Sequence, residues 1–220
     1  MPEKSPSAFF MLGVIHLDEE GPALLRDWLY RMQPDVRTLE LSHYGIRFRR
    51  ELGDKYKERI SRHVTKRAER GEPVNKEVLS WLLSYVSIPY EYEGVSSYAL
   101  KQGIPLHLID MDFFSYVKLR AIDDLVSEEN IEAMLADSQG SNGNQELAMA
   151  RLYFEKGITT KQYDREMYIR DRYMSAKIQD LMERAPDKKF LHVCGWQHLS
   201  DSAAPESAAP PRRHTAFDHG

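Results

Sequence analysis

At 220 residues, with 42% hydrophobic and 29% charged residues, the chain is long enough to bury a substantial core, and its length favours one domain. A formal net charge of -4 gives no general reason to expect a nucleic-acid partner, no apolar run reaches the roughly 18 to 20 residues of a membrane span, and the start MPEKSPSAFFMLGVIH lacks a basic region followed by a cleavable apolar stretch. The single cysteine, Cys194, excludes an intramolecular disulfide and a cysteine-based zinc knot, so a reducing, cytoplasmic setting is expected and any metal must rest on His, Asp and Glu.

The first apolar run, Ala8 to Leu17, is short and reads as a buried strand. Asp18 follows as a candidate N-cap, and Leu24, Leu25, Trp28, Leu29 and Met32 then recur at helical spacing until Pro34. Val36 to Ser42 reads as a second strand. Residues 46–70 form a charged helix, with ten Lys or Arg against four Asp or Glu and only a narrow stripe of Leu52, Tyr56 and Ile60. That pattern reads as a solvated face, with a groove for an anionic substrate as the alternative. Gly71 and Pro73 break the helix before a more apolar one carrying Val78, Leu79, Leu82, Leu83 and Val86, which Pro89 ends.

Residues 94–102 read as a short helix closed by Gly103, and Pro105 to Met111 as a third strand with a helical stretch after it. Residues 138–144, SQGSNGN, read as a loop, and a long helix over about 160–185 stops at Pro186. Lys188 to Trp196 supplies a fourth strand, and the Ala/Pro/Ser-rich tail over 201–220 is expected to be disordered. Strands alternating with helices predict an α/β fold, a single domain over 1–200 with a small, mostly parallel sheet covered by many helices. In such sheets ligands gather beyond the carboxyl ends of the strands.

The polar residues fall at that edge. FMLGVIHL (Phe10 to Leu17) and LHVCGWQHL (Leu191 to Leu199) each run an apolar strand into Gly-x-x-His, whereas composition predicts about 0.4 such pairs by chance. Glycine lets the backbone bend or approach a ligand, and His16 and His198 can reach over the sheet edge; two ordinary turns are the plain alternative. Glu40, in Thr38-Leu39-Glu40-Leu41-Ser42, is a carboxylate in an apolar strand, suited either to a salt bridge with Arg170 or to metal ligation. Arg170 shares a helix face with Met167, Met174, Ile178 and Leu181, so it points inward and requires acidic partners from among Glu40, Glu91, Glu93 and Asp110, with Asp171 on the flank. Asp110 ends the third strand, and Asp112 is equally suited to an N-cap. His107 reads as a satisfied structural histidine, Cys194 as a packing residue and His192 as an alternate-face residue of the fourth strand.

Two histidines with one or two carboxylates suit a divalent metal that keeps a position open for water, with His16, Glu40 and His198 as ligands. Without metal, a histidine paired with a carboxylate could act as general base on water, giving the same reaction class. No serine nucleophile elbow, phosphate loop or dinucleotide fingerprint competes.

In order, GVIH, LELS, EYEGVSSYA, LID, IRDRYM and VCGWQHL resemble the TraB, Tiki and ChaN-like superfamily, which includes the erythromycin esterases and pheromone-shutdown proteins. The resemblance spans about residues 9–199. It implies an α/β core with facing Gly-x-x-His motifs and carries His16, Glu40, Arg170 and His198 as site residues, with Glu91 or Glu93 at the acidic position before Ala99. Members differ: Tiki-like proteins are metal-dependent proteases, the esterases use a histidine and water, and ChaN-like proteins bind haem iron. The leading expectation is a metal-dependent or histidine-dependent hydrolase of ester or peptide bonds, acting on a small-molecule or peptide substrate, with self-association left open. A haem- or iron-binding protein is the second expectation, with Tyr44 a candidate axial ligand. An interaction scaffold without turnover is the third.

Overall fold

Among the described residues, five short strands, all parallel, make the sheet: β1 (Ala8–Val14), β2 (Val36–Leu39), β3 (Leu106–Leu108), β4 (Lys189–Gly195) and β5 (Arg212–Thr215), in the order β3-β2-β4-β1-β5. The computed structural model describes residues 8–16, 18–136, 165–199 and 212–215; the expected loop at 138–144 lies outside them. The helices are α1 (Gly21–Met32), α2 (His43–Glu69), α3 (Lys76–Val86), α4 (Tyr90–Gln102), α5 (Asp112–Leu119), α6 (Ile122–Leu125), α7 (Glu128–Ala136) and α8 (Arg165–Arg184), and a 3-10 turn spans Trp196–Leu199. Among the described residues, no helix is long and apolar enough to cross a membrane.

The predicted α/β class with a small parallel sheet is what the chain adopts, and the chain forms two compact units. One is Met1–Ser42, Tyr90–Met111 and Ala150–Gly220; the other is His43–Pro89 and Asp112–Met149. The division follows from the second unit's own core. Phe48, Tyr56 and Ile60 of α2 pack with Val78, Leu82 and Val86 of α3 and with Leu119, Ile122, Ile131 and Leu135. The cations of α2 meet acids of the same unit: Arg59 with Asp123 at 3.5 Å, Lys66 with Glu128 at 3.5 Å and Arg67 with Glu132 at 2.9 Å. These pairs offset part of the basic stretch, while Arg47, Arg50, Lys55, Arg62, Lys66 and Arg70 stay exposed on the solvated face that was expected.

In the first unit, alternation along the strands divides the core into two layers. Leu12, Val14, Leu39, Leu191 and Val193 pack against Leu25 and Leu29 of α1 and Val95 and Tyr98 of α4. Phe9, of opposite parity on β1, belongs with Ile109 and with Met174 and Ile178 of α8. Burial on both faces explains why β4 is mostly apolar beyond Lys189, with the buried His192 as the exception, as expected for a parallel strand flanked by neighbours.

Three local differences bear on the site. Asp18 is not the N-cap of α1; its Oδ1 accepts the Glu20 N–H at 3.0 Å, forming a turn that feeds a helix with a proline in its first positions. α4 begins at Tyr90 rather than 94, which winds the acidic segment into its first turn. Acidic side chains there suit the positive end of the helix. Finally, Arg212–Thr215, inside the tail expected to be disordered, runs along β1 as β5 and pairs the outer backbone edge of that strand.

Candidate active site

All four strands from β1 to β4 end at the same edge because they are parallel, so the residues just beyond their carboxyl ends are brought together. β1 delivers His16. The chain turns after Val14, with the Asp18 N–H donating to the Ile15 carbonyl at 3.2 Å, and the Tyr90 hydroxyl donates to that same carbonyl at 3.0 Å. The turn leaves the His16 side chain 57% exposed while its Nδ1 lies 2.7 Å from Glu91 Oε1, on a side chain only 4% exposed. A buried carboxylate on Nδ1 fixes the ring orientation and favours the tautomer whose lone pair is on Nε2.

β2 delivers Glu40. Its backbone N–H still pairs with the Val193 carbonyl at 3.0 Å, which sets the side chain against β4. Oε1 accepts from Arg170 Nη2 at 2.6 Å and lies 2.9 Å from His198 Nε2, and Oε2 accepts the Gly195 N–H at 2.8 Å. Arg170 also grips Asp110, Nε to Oδ1 at 3.0 Å and Nη2 to Oδ2 at 2.8 Å, a two-point contact that suits a planar guanidinium. Asp110 is placed for this by its N–H bonding the Leu41 carbonyl at 3.2 Å, which prolongs the β2-β3 pairing beyond the strands. Asp171, next to Arg170 on α8, lies 2.6 Å from His198 Nδ1.

Two cations, Arg170 and His198, therefore sit among three carboxylates in a largely buried network. Burial opposes ionisation of Glu40, but the charge and hydrogen bond of His198, with Arg170 and the Gly195 N–H, outweigh it and hold the carboxyl well below the usual carboxylate range. Burial likewise opposes a charge on His198, yet Glu40 and Asp171 on its two nitrogens raise it to about 10. His192 has the opposite fate. Burial lowers it to about 4 against the pull of Glu40, and its Nδ1 lies 3.0 Å from Thr38 Oγ1, so it is a neutral core residue. Burial, with Glu40 and Asp171 nearby, pushes the Cys194 thiol well up, away from a reactive thiolate. His107 is half-buried on β3, and that burial lowers its pKa.

The two glycines of the paired motifs do different jobs. A Cβ on Gly13 would lie 2.5 Å from Leu199 Cδ1 and 2.9 Å from the Trp196 Cα, so this glycine lets the 3-10 turn bearing His198 sit directly on β1. A Cβ on Gly195 would instead lie 3.4 Å from His16 Nε2, 3.6 Å from Glu40 Oε2 and 3.8 Å from His198 Cδ2. The motifs thus face one another across Gly195.

Of the expected residues, His16, Glu40, Glu91, Asp110, Arg170, Asp171 and His198 are gathered here. Glu93 is not among them: two residues past Glu91 on α4, it turns to solvent. Tyr44 belongs to the second unit, where its N–H donates to Asp112 Oδ1 at 2.7 Å and its ring meets Phe48 and Tyr116. The expected metal set of His16, Glu40 and His198 does not fit a metal in this arrangement. Both nitrogens of His198 face carboxylates and both oxygens of Glu40 take hydrogen bonds, whereas ligation requires a free imidazole lone pair. Among the described residues, no three His, Cys, Asp or Glu side chains are grouped to hold a metal ion. Two contributors escaped the sequence reading, the Tyr90 hydroxyl under the His16 turn and the Gly195 N–H on Glu40; a tyrosine among other tyrosines and a backbone donor carry no pattern. No protein-family model matches the chain, and no curated protein or solved structure is significantly similar to it.

Proposed function

We propose that the first unit is a hydrolase of ester or peptide bonds in which His16, oriented by Glu91, is the general base that activates water. The observation that carries this is the pair itself: a partly exposed imidazole held at 2.7 Å by a buried carboxylate, with Nε2 turned toward the other site residues. The ordered motifs that resemble the TraB, Tiki and ChaN-like superfamily, among them esterases using a histidine and water, favour the same reaction class.

In the proposed reaction His16 Nε2 takes one proton from a water whose oxygen bonds to the carbonyl carbon. The resulting tetrahedral species carries its charge on the former carbonyl oxygen. It collapses by breaking the bond to the leaving oxygen or nitrogen, which receives the proton from His16, so an acid and an alcohol or amine leave and the imidazole is restored. The Arg170 and His198 cations keep Glu40 ionised and in place throughout, and Asp110 and Asp171 hold those cations. A metal-dependent version would require His198 to give up one of its two carboxylate partners.

The test is hydrolysis of a panel of p-nitrophenyl esters and a peptide library by the full chain in buffer containing a chelator. The expected result is turnover that falls about 100-fold or more in kcat in His16→Ala and Glu91→Gln, with the fold retained by circular dichroism. Absence of wild-type turnover across the panel overturns the proposal. So does turnover undiminished in His16→Ala, or turnover that requires added metal.

A further inference from the structure

We infer that Tyr90 is a positioning residue for the proposed general base, its hydroxyl fixing the turn from which His16 projects; this rests on the hydrolytic reading and adds to it a residue that acts through the main chain. The first two residues of α4 hold His16 in two different ways. Glu91 holds the ring, Oε1 to Nδ1 at 2.7 Å, and Tyr90 holds the backbone, its hydroxyl donating to the Ile15 carbonyl at 3.0 Å. The His16 side chain is 57% exposed, so little packing restrains it, and a single contact on the ring leaves the main chain of the turn free to shift and the imidazole to shift with it. The Ile15 carbonyl also takes the Asp18 N–H at 3.2 Å, so the tyrosine bonds the very group that closes the turn. Its ring is itself anchored, packed against the layer that holds Leu12, Val14, Leu25 and Leu29.

Gly21, the first residue of α1, leaves the space that this hydroxyl fills. A Cβ there would lie 2.5 Å from Tyr90 Oη, 2.7 Å from Cζ and 3.2 Å from Cε1. Backbone conformation does not call for glycine at this position, because the described glycines with positive φ are Gly71 and Gly103, and helix propensity favours alanine. The close approach of the phenol is what excludes a side chain. The Gly21 N–H bonds the Asp18 carbonyl at 3.1 Å, so two successive turns run from Ile15 to Gly21 and the Tyr90 hydroxyl lies against both ends of them. Phenylalanine would fill the same apolar space; the hydroxyl adds the bond that ties this segment to α4, beside the carboxylate that orients the ring. A base whose backbone and ring are held by adjacent residues of one helix keeps its direction, and a misplacement of about 1 Å is enough to cost roughly 100-fold in rate.

The experiment compares Tyr90→Phe and Gly21→Ala with wild type, each as the full chain, by circular dichroism, by steady-state hydrolysis and by NMR of the histidine rings, the His16 signals being assigned by their loss in His16→Ala. Tyr90→Phe keeps the ring packing and is expected to fold, with kcat lower by about 10-fold or more and KM unchanged. Gly21→Ala drives the hydroxyl away from the Ile15 carbonyl and is expected to lower kcat in the same way. In both variants the His16 ring signals are expected to move from their wild-type positions toward those of an unconstrained histidine. Undiminished kcat in a folded Tyr90→Phe overturns the inference, as does a change confined to KM or a set of His16 ring signals that stays at the wild-type positions. Failure of wild type to hydrolyse any substrate removes the hydrolytic reading alone, and the ring signals then decide the positioning role; should Tyr90→Phe fail to fold, Gly21→Ala decides it by the same two measurements.

Discussion

Raising the pH tests the charge on His198, because the fold holds that imidazole between Glu40 at 2.9 Å and Asp171 at 2.6 Å and raises it from 6.5 to about 10. A folded-state pKa above the unfolded one means that the stabilisation is complete below pH 6.5 and is lost as pH climbs through about 10. Within that window stability falls by at most about 1.4 kcal/mol per pH unit for one proton, so the whole window ties roughly 3 to 5 kcal/mol to protonation. Against a typical total of about 5 to 15 kcal/mol, that is a large share. The assay is urea unfolding at constant ionic strength from pH 6 to 10, on wild type and His198→Gln in parallel, so that lysine and tyrosine titration common to both cancels in the difference. Wild type should be the more stable by several kcal/mol near pH 6.5, and the gap should close steadily toward pH 10. A gap that stays constant across the range would refute the reasoning, since His198 would then be neutral in the fold.

Arg170→Met strands the Glu40 and Asp110 carboxylates in a largely buried place; a loss of about 3 to 5 kcal/mol is expected by thermal or urea unfolding, partly recovered in acid as those groups protonate. Arg37 gives the opposite expectation. It is fully buried on β2, among the described residues its Nε and Nη1 have no hydrogen-bond partner, and burial lowers its pKa to about 10, so Arg37→Met should be neutral or stabilising by about 1 to 4 kcal/mol in urea unfolding. Gly13→Ala should lower stability by about 1 to 3 kcal/mol, because the added Cβ meets Leu199 Cδ1 at 2.5 Å and the turn bearing His198 must shift; an unchanged melting temperature would contradict the packing role given to this glycine.

Much of this site was legible because periodicity and chemistry agreed. Helical spacing put Arg170 on the face of Met174 and Ile178, and an inward guanidinium demanded carboxylates, which Asp110 and Glu40 supply. The choice between Glu91 and Glu93 was not legible. It turns on where α4 begins, and the polar run before residue 94 shows no amphipathic start. Once the helix is known to begin at Tyr90, Glu91 falls in line with Val95 and Tyr98, at one and two turns, and both of those are buried. The second unit was hidden for a related reason. The apolar face of α2 is spaced out among so many cations that it reads as a surface helix, until Asp123, Glu128 and Glu132 of its neighbours are seen to meet them. Tyr44 is close to β2 in the chain, but α2 begins at His43 and carries it into that unit's aromatic cluster.

The paired Gly-x-x-His motifs show how far a repeated pattern can mislead about role. β1 and β4 lie side by side with Gly13 opposite Cys194 and Val14 opposite Gly195, so the two motifs are nearly level at the sheet edge. Beyond the glycines the two paths diverge. After Val14 the chain turns away, leaving His16 mostly exposed with a carboxylate on Nδ1; after Gly195 it winds into a 3-10 turn seated on Gly13, leaving His198 5% exposed between two. A carboxylate on Nδ1 orients the His16 ring, with Nε2 directed toward Glu40 and His198. The Glu40 and Asp171 carboxylates beside its two nitrogens make His198 a cation, because their negative charge outweighs the cost of burying it. Tertiary packing rather than the motif therefore sets the two surroundings, an exposed ring beside Glu91 and a buried one between Glu40 and Asp171.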